Sequence, residues 1–229
     1  MVGRVVLEGF HAVKHAVRFG AVVGTVVVLD RDKAVGLARS HAPDLEDVLA
    51  RAEVVGAAEF QRVIGRSHPT GVGGIAERPA VDLEDVRGPL VLLDNPRNLG
   101  NFGAVIRVAA GLGAGGVVSS GDVDPWHPNV LRGSAGLHFA LPVGRLGGLD
   151  ELRGPVIAFD AGGRALRDVR IPDDVVLAFG SERHGLSPEV RDRADLVVSL
   201  PMRPKVSSYN LTTSVAMGLY HWELFRRAS

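Results

Sequence analysis

Cysteine is absent from the 229 residues of this chain, and that absence excludes a disulfide framework, a thiolate zinc site and a cysteine nucleophile. A chain without cysteine fits a reducing compartment, so we expect a cytoplasmic location. An excess of one charge is also missing, because 26 basic residues balance 26 acidic ones and the formal net charge is zero. Since nucleic-acid-binding proteins usually carry a basic excess, any such contact must come from a local patch.

Long apolar runs are missing as well. No stretch approaches the roughly 18 residues of a membrane-spanning helix, and charges interrupt the first twenty residues every few positions, unlike in a signal peptide. His11 and His15 have helical i, i+4 spacing, but no third metal ligand is evident and no H-E-x-x-H sequence occurs. We therefore expect neither a membrane span nor a metal site.

Residues 1–79 predict a small α/β domain, because strand-like and helix-like segments alternate. The stretch Ser67–Pro79 is rich in glycine and proline and predicts a loop or an irregular edge strand. The acidic run at 80–88, with Asp82, Glu84 and Asp85, predicts a linker. The expected elements are a strand or helix lead-in at Val5–Leu7, a strand at Gly24–Leu29, and helices at Phe10–Phe19, Lys33–Arg39, Pro43–Arg51 and Ala57–Ile64.

Residues 89–229 predict a second, regular βα domain. Its strand candidates are continuous apolar runs, which are typical of a parallel sheet covered by helices on both faces. The expected strands are Leu90–Leu93, Gly116–Ser119, Val156–Phe159, Val175–Phe179 and Leu196–Leu200, and the expected helices are Phe102–Leu112, Asn129–Ser134 and Leu211–Arg226.

The hexamer Gly111–Gly116 matches the dinucleotide pattern G-x-G-x-x-G, but its context is reversed. The dinucleotide motif follows a strand and opens a helix, whereas this hexamer follows a helix and precedes a strand. Glycines in that place are ordinary helix C-cap residues. A nucleotide-dependent oxidoreductase is therefore disfavoured.

Three segments could carry chemistry. In Leu92–Gly111, Gly100, Gly103 and Arg107 share one helix face, which we interpret as a bare surface beside a cation that admits an anionic chain. The second, Leu177–Ser187, places Gly180, Glu182 and Gly185 beyond the carboxyl end of a strand, where α/β sheets bind ligands. In the third, Leu200–Trp222, a loop with Arg203 and Lys205 leads to Ser208 and Asn210 at a helix start. Taken alone, each segment is explained by helix capping or turn formation as well as by a functional site.

Together, and in this order, the segments resemble the three signature motifs of the SpoU-type branch of the SPOUT superfamily, which are S-adenosylmethionine-dependent RNA ribose 2′-O-methyltransferases. The matching residues are Asn98, Gly100, Asn101, Gly103 and Arg107 in the first motif, Gly180, Glu182 and Gly185 in the second, and Leu200, Pro201, Met202, Ser208 and Asn210 in the third. The stretches EGFHAVKHAVRFGA and SHPTGV also resemble the small RNA-binding domain that precedes the catalytic domain in many members. Tyr209 departs from the pattern, because leucine is usual there, and Pro204 and Lys205 occupy a loop that often contains glycine.

The resemblance implies an α/β fold with a deep trefoil knot in the second domain, a homodimer, S-adenosylmethionine as cofactor, and RNA as substrate. Ribosomal RNA is the first expectation and transfer RNA the second. The implied catalytic set is Arg107, Asn101, Glu182, Ser208 and Asn210, in which Asn101 and Glu182 orient Arg107 and the ribose. The implied cofactor contacts are Gly180, Leu200, Met202, Tyr209 and Ala161, and the expected RNA contacts are Lys14, Arg18, His11 and Arg203.

Three alternatives stay open. A non-catalytic RNA-binding or ribosome-assembly protein could retain the fold, although the intact polar set disfavours it. A SPOUT enzyme could instead methylate a base, and the S-x-N motif favours ribose only by analogy. The first helix, with Lys14 and Arg18, is explained equally by RNA contact and by ordinary solvation.

Overall fold

The computed structural model describes residues 3–83 and 86–226, and the chain divides into two compact units. The first unit contains Met1–Ala80 together with Ala135–Ala140, and the second contains Val81–Ser134 together with Leu141–Ser229. Glu84 and Asp85, two acidic residues of the predicted linker, lie outside the described residues.

The first unit is a four-stranded sheet with helices. Its strands have the order β1–β4–β2–β3, and every pair is antiparallel except β2–β3. Fully buried side chains such as Leu7, Val13 and Phe60 form its core. The elements are β1 (Arg4–Glu8), α1 (Phe10–Arg18), β2 (Val23–Val28), α2 (Arg31–His41), a 3-10 turn (Pro43–Leu45), α3 (Glu46–Ala50), β3 (Glu53–Val54), α4 (Ala57–Ile64) and β4 (Val72–Glu77).

The prediction of a loop or an edge strand for Ser67–Pro79 is confirmed at both ends of the stretch but wrong for Val72–Glu77, because this segment is β4 and lies inside the sheet between β1 and β2. Its glycines permit close packing. A Cβ on Gly73 would lie 2.6 Å from the Ile64 Cδ1 atom, and one on Gly74 would lie 2.8 Å from the Thr25 carbonyl oxygen. Glycine in a strand often marks such a close approach, but in sequence it looks like a loop.

The segment Ala135–Ala140 joins the first unit although it is distant in sequence from the rest of that unit. The His15 Nδ1 atom donates to the Ala135 carbonyl oxygen at 2.6 Å. Burial lowers the pKa of His15, and the hydrogen bond to Ala135 opposes that shift. The His15 ring is therefore held by this hydrogen bond inside the first unit.

The second unit contains a six-stranded sheet with the order β10–β8–β9–β5–β6–β7, in which every neighbouring pair is parallel. This confirms the predicted α/β fold with a parallel sheet. The elements are β5 (Leu90–Leu93), α5 (Leu99–Leu112), β6 (Gly116–Ser119), α6 (Pro128–Gly133), β7 (Val143–Arg145), β8 (Val156–Ala165), β9 (Val176–Phe179), α7 (Pro188–Arg193), β10 (Leu196–Ser199) and α8 (Leu211–Arg226).

Two elements of this unit were not predicted, and one strand is longer than expected. The strand β7 has only three residues, and α7 has only six, so neither gives a clear periodic pattern. The strand β8 continues to Ala165, and its pairing with β10 jumps from Ala158 to Arg164. Residues 159–163 therefore bulge away from β10, and this bulge carries the exposed Ala161.

The glycine-rich hexamer Gly111–Gly116 lies where its reversed context predicts. Helix α5 ends at Leu112, Gly113 caps it in the left-handed conformation with φ 71°, and β6 begins at Gly116. The hexamer therefore terminates a helix instead of opening one, as the dinucleotide motif would require.

Candidate active site

The three motif segments follow three strands of the same parallel sheet. The first begins after β5, the second after β9 and the third after β10. Because β5 pairs with β9, β9 with β8 and β8 with β10, all in parallel, the carboxyl ends of these strands lie along one edge. Ligands of open α/β sheets bind at such an edge.

Asn101 connects the first motif to the second. Helix α5 begins at Leu99, earlier than predicted, because the Asn98 side chain caps it by accepting from the Asn101 N–H at 3.0 Å. Asn101 lies in the first turn of α5, and its Nδ2 atom donates to Glu182 Oε1 at 2.6 Å. A hydrogen bond to a carboxylate is stronger than one between neutral groups, so this contact fixes the orientation of the Asn101 amide.

Asn210 connects the third motif to the first. Its Nδ2 atom donates to Asn101 Oδ1 at 3.2 Å, and its Oδ1 atom accepts from the Thr212 N–H at 2.9 Å. The Thr212 hydroxyl donates to the Asn101 carbonyl oxygen at 3.3 Å. Glu182, Asn101 and Asn210 thus form one chain of hydrogen bonds, which we call the Glu–Asn–Asn network, and it joins all three motifs.

The glycines of the second motif build a tight loop that presents Glu182. Ser181 and Gly185 exchange two backbone hydrogen bonds, of 3.0 and 2.9 Å. A Cβ on Gly180 would collide with the backbone of Gly185 and Leu186, so the loop can close only over glycine. Glu182 is exposed at its tip, where a carboxylate can interact with a bound molecule.

Asp94 is a site residue that sequence reasoning missed. It lies at the end of β5, is only 4% exposed, and accepts from the Ser120 hydroxyl at 2.7 Å and from the Ser187 N–H at 2.6 Å. It thereby ties the ends of β5 and β6 to the segment that follows the second motif. The available signal was a carboxylate placed directly after an apolar strand, since buried carboxylates need partners.

The loop between β10 and α8 carries the predicted cofactor residues of the third motif. Leu200 and Met202 are half-buried, and Tyr209 is 37% exposed. The Tyr209 hydroxyl donates to the Pro201 carbonyl oxygen at 2.8 Å and closes the loop across eight residues. Lys205 has a φ of 72°, which explains why glycine suits this loop better than most residues.

Gly103 does not form the bare surface that the sequence suggested, so that interpretation is wrong. The residue is buried, and a Cβ there would collide with the Val130 carbonyl oxygen and lie 2.7 Å from the Gly133 Cα atom. Its role is to let α5 and α6 pack backbone to backbone. Only Gly100 and Arg107 of the predicted face are exposed.

Arg107 and Ser208 are not part of the Glu–Asn–Asn network. Both side chains are exposed, and neither forms a hydrogen bond or an ion pair with another residue in the described ranges. The sequence suggested that Asn101 and Glu182 orient Arg107. In the structure these two side chains bind each other and not Arg107. In this arrangement the Arg107 guanidinium is available to an anionic or polar substrate.

The predicted RNA contacts of α1 are engaged within the first unit. Arg18 forms a two-pronged ion pair with Asp44, at 2.7 and 2.6 Å, and this pair raises the pKa of Arg18 and lowers that of Asp44. Lys14 and His11 lie 3.3 Å apart. Arg203, the fourth predicted RNA contact, is exposed in the second unit.

No helix within residues 3–83 and 86–226 has the length and apolar composition that a membrane span needs. The same ranges contain no group of three or more His, Asp or Glu side chains that could hold a metal ion.

Comparisons with known proteins confirm the family resemblance. Residues 88–220 match the model of the SpoU rRNA Methylase family. A Streptomyces laurentii protein named 23S rRNA (adenosine(1067)-2′-O)-methyltransferase is 34% identical over 74% of this chain and 68% of its own length. A Streptomyces viridochromogenes protein named 23S rRNA (uridine(2479)-2′-O)-methyltransferase is 33% identical over 66% of this chain, which spans 59% of that protein's length.

A solved structure agrees over nearly the whole chain. The SpoU methyltransferase AviRb from Streptomyces viridochromogenes, in complex with the cofactor AdoMet, superimposes with a TM-score of 0.80 at 27% identity. The superposition covers 99% of this chain and 92% of that one. Since the family model covers more than half of the chain and the motifs converge at one sheet edge, the chain belongs to the SpoU rRNA Methylase family.

Proposed function

We propose that this protein is an S-adenosylmethionine-dependent RNA 2′-O-ribose methyltransferase that acts on ribosomal RNA. The Glu–Asn–Asn network carries the proposal, because it joins the three family motifs into one polar site at the carboxyl edge of the sheet. The names of the two Streptomyces relatives, both 23S rRNA 2′-O-methyltransferases, support ribosomal RNA and ribose. Other relatives are named tRNA/rRNA methyltransferases, so transfer RNA is the second choice.

The residues around the strand ends fit S-adenosylmethionine. The tight turn at Gly180 lies beyond the carboxyl end of β9, while Leu200, Met202 and the Tyr209 ring offer apolar surface for an adenosyl group. Ala161, in the bulge of β8, adds a small side chain that does not obstruct a ligand. When bound, the cofactor supplies an electrophilic methyl group.

Arg107 is proposed to stabilise the negative charge that develops on the ribose 2′ oxygen. The 2′-hydroxyl would give up its proton to solvent, and the exposed Arg107 guanidinium would hold the charge left on the oxygen by hydrogen bonding. Arginine is a poor general base, because its pKa lies above about 12. Asn101 and Glu182 orient each other toward the ribose, and Ser208 and Asn210 shape the adjoining pocket.

The finer architecture follows the family. A deep trefoil knot in the second unit is part of the proposal and is supported only by membership of the family. A homodimer is supported by the exposed apolar side chains of Tyr220, Leu224 and Phe225 along α8. The first unit, with Lys14 and His11, would help to select the RNA. A cytoplasmic location is proposed together with the action on ribosomal RNA.

The replacement Arg107→Ala tests the mechanism. We expect turnover to fall by about 100- to 1000-fold, as when other groups that stabilise a developing oxyanion are removed, while S-adenosylmethionine affinity by calorimetry is unchanged. The control Arg107→Lys keeps the charge but loses the planar fork, so it should recover only part of the rate. Unchanged turnover in Arg107→Ala would contradict this role.

Mapping 2′-O-methyl sites in total RNA, with and without the gene, tests the substrate. One ribose site in ribosomal RNA should lose its methyl group when the gene is deleted. A lost site in transfer RNA would select the second choice. Absence of any cofactor binding would indicate a non-catalytic RNA-binding protein with the same fold.

A further inference from the structure

Half of the ten lysine and arginine side chains of the first unit are neutralised in place by neighbouring carboxylates. Among the described residues of this unit, five ion pairs form, and none of them involves a residue of the motifs. They are Arg18–Asp44, Lys33–Asp30, Arg39–Glu46, Arg62–Glu59 and Arg66–Glu8. A cation that is already paired has less to gain from a phosphate, because it must first leave its partner.

The motif segments of the second unit show the opposite arrangement. Five cations lie in the motif segments around the Glu–Asn–Asn network, four of them in turns or loops and Arg107 within helix α5. All five side chains are exposed: Arg97, Arg107, Arg183, Arg203 and Lys205. None of these side chains has a hydrogen-bond or ion-pair partner among residues 3–83 and 86–226. The segments 95–107, 180–187 and 200–210 contain one carboxylate, Glu182, and it is held by Asn101.

Hydrogen bonds between the motifs bring these cations to one edge of the sheet. Arg183 follows Glu182, whose carboxylate binds Asn101 at 2.6 Å. Arg97 lies four residues before Asn101, in the turn that leads into α5. Arg203 and Lys205 lie in the loop that the Tyr209 hydroxyl closes onto Pro201, and Asn210 at the end of that loop binds Asn101 at 3.2 Å.

Lys205 adds a second observation. Its φ of 72° is a conformation that glycine adopts without strain and that costs a residue with a Cβ about 1 kcal/mol. The loop therefore holds a lysine at a position where glycine would be less strained. Strain of this kind concentrates at sites that bind ligands.

We propose that Arg97, Arg183, Arg203 and Lys205, together with Arg107, form the phosphate-binding surface for the RNA backbone on either side of the target nucleotide. This inference rests on the proposed function and extends it by naming the residues that hold the substrate. It also accounts for RNA binding by a chain of zero net charge, since the excess positive charge is local to the site. Such contacts position the RNA without reading its sequence.

The salt dependence of RNA binding tests this surface. The probe is a fluorescein-labelled oligouridylate, with anisotropy titrations in KCl between roughly 50 and 200 mM. In the whole 229-residue chain, the triple variant Arg97→Ala/Arg183→Ala/Arg203→Ala should reduce the slope of log affinity against log salt by about 2, because each lost single-strand phosphate contact removes about 0.7. The matched control Arg39→Ala/Arg62→Ala/Arg66→Ala removes the same charge from ion-paired positions of the first unit and should leave the slope unchanged.

Cofactor binding separates this proposal from the proposed function. S-adenosylmethionine affinity of both triple variants should equal that of the wild type, because none of the six arginines is a predicted cofactor contact. An unchanged slope in the motif variant, or an equal decrease in the control, would overturn the proposed surface even if the protein methylates RNA. A wild type that binds no S-adenosylmethionine would overturn the proposed function, while the salt slopes would still locate the phosphate contacts.

Discussion

Replacing Gly103 by alanine tests whether this glycine of the first motif serves helix packing. A Cβ at this position would collide with the Val130 carbonyl oxygen and lie 2.7 Å from the Gly133 Cα atom. Both are backbone atoms, so the clash can be relieved only if α5 and α6 move apart. Overpacking of a core costs about 1–3 kcal/mol, and contact with rigid backbone places this change near the upper limit.

The expected loss is smaller than that limit, because alanine is the better helix former. Alanine returns about 1 kcal/mol relative to glycine in a helix interior, so the free energy of unfolding should fall by about 2 kcal/mol. For a chain of this length, that loss lowers the melting temperature by about 4–8 °C.

Gly111 provides a matched control on the same helix. It is exposed, and no atom outside its own helix lies within 4 Å of the position where its Cβ would be. Because Gly111 is the penultimate residue of α5 and not interior like Gly103, Gly111→Ala should raise the free energy of unfolding by only about 0.5 kcal/mol, through helix propensity alone. Thermal and urea denaturation followed by circular dichroism would measure both variants. If Gly103→Ala were as stable as Gly111→Ala, the close packing of α5 on α6 would not be the reason for this glycine.

Three further predictions concern single side chains. Tyr209→Phe removes the hydroxyl that donates to the Pro201 carbonyl oxygen, so we expect S-adenosylmethionine affinity to fall by about 2- to 10-fold in calorimetry with kcat unchanged. An unaltered affinity would show that cofactor binding does not need the closed loop. Asp94→Ala leaves the Ser187 N–H without its acceptor and should lower the free energy of unfolding by about 1–3 kcal/mol. Asp94→Asn retains an acceptor oxygen and should lower it by less. Equal losses in the two variants would contradict the role of the Asp94 oxygen as an acceptor. Burial lowers the pKa of His15, so the unfolded state binds the proton more tightly than the folded state does. The contribution of His15 to the free energy of unfolding is therefore complete above the ordinary pKa of 6.5 and is lost as pH falls from 6.5 toward the lowered pKa. His15→Gln should weaken this part of the pH dependence in denaturation at pH 5 to 7.

Local patterns in the sequence determined most of the second unit. The apolar runs at Leu90–Leu93 and Gly116–Ser119 coincide with β5 and β6, and Leu211–Arg226 coincides with α8. Such segments are fixed by residues a few positions apart, so their period and their caps are visible in sequence. The three family motifs could be recognised for the same reason, because each is a short run of particular residue types.

Contacts between distant segments were decided only by the tertiary structure. The Asn101–Glu182 hydrogen bond spans 81 residues, and it depends on β5 and β9 being parallel neighbours in the sheet. Strand order also turned the glycine-rich segment Val72–Glu77 into an inner strand, and the approach of α6 made Gly103 a packing residue. The balance of charge is the clearest case. Composition determined that the net charge is zero. Only the folded chain shows which cations are neutralised by carboxylates and which stay exposed beside the motifs, because ion pairs form between side chains that folding brings together.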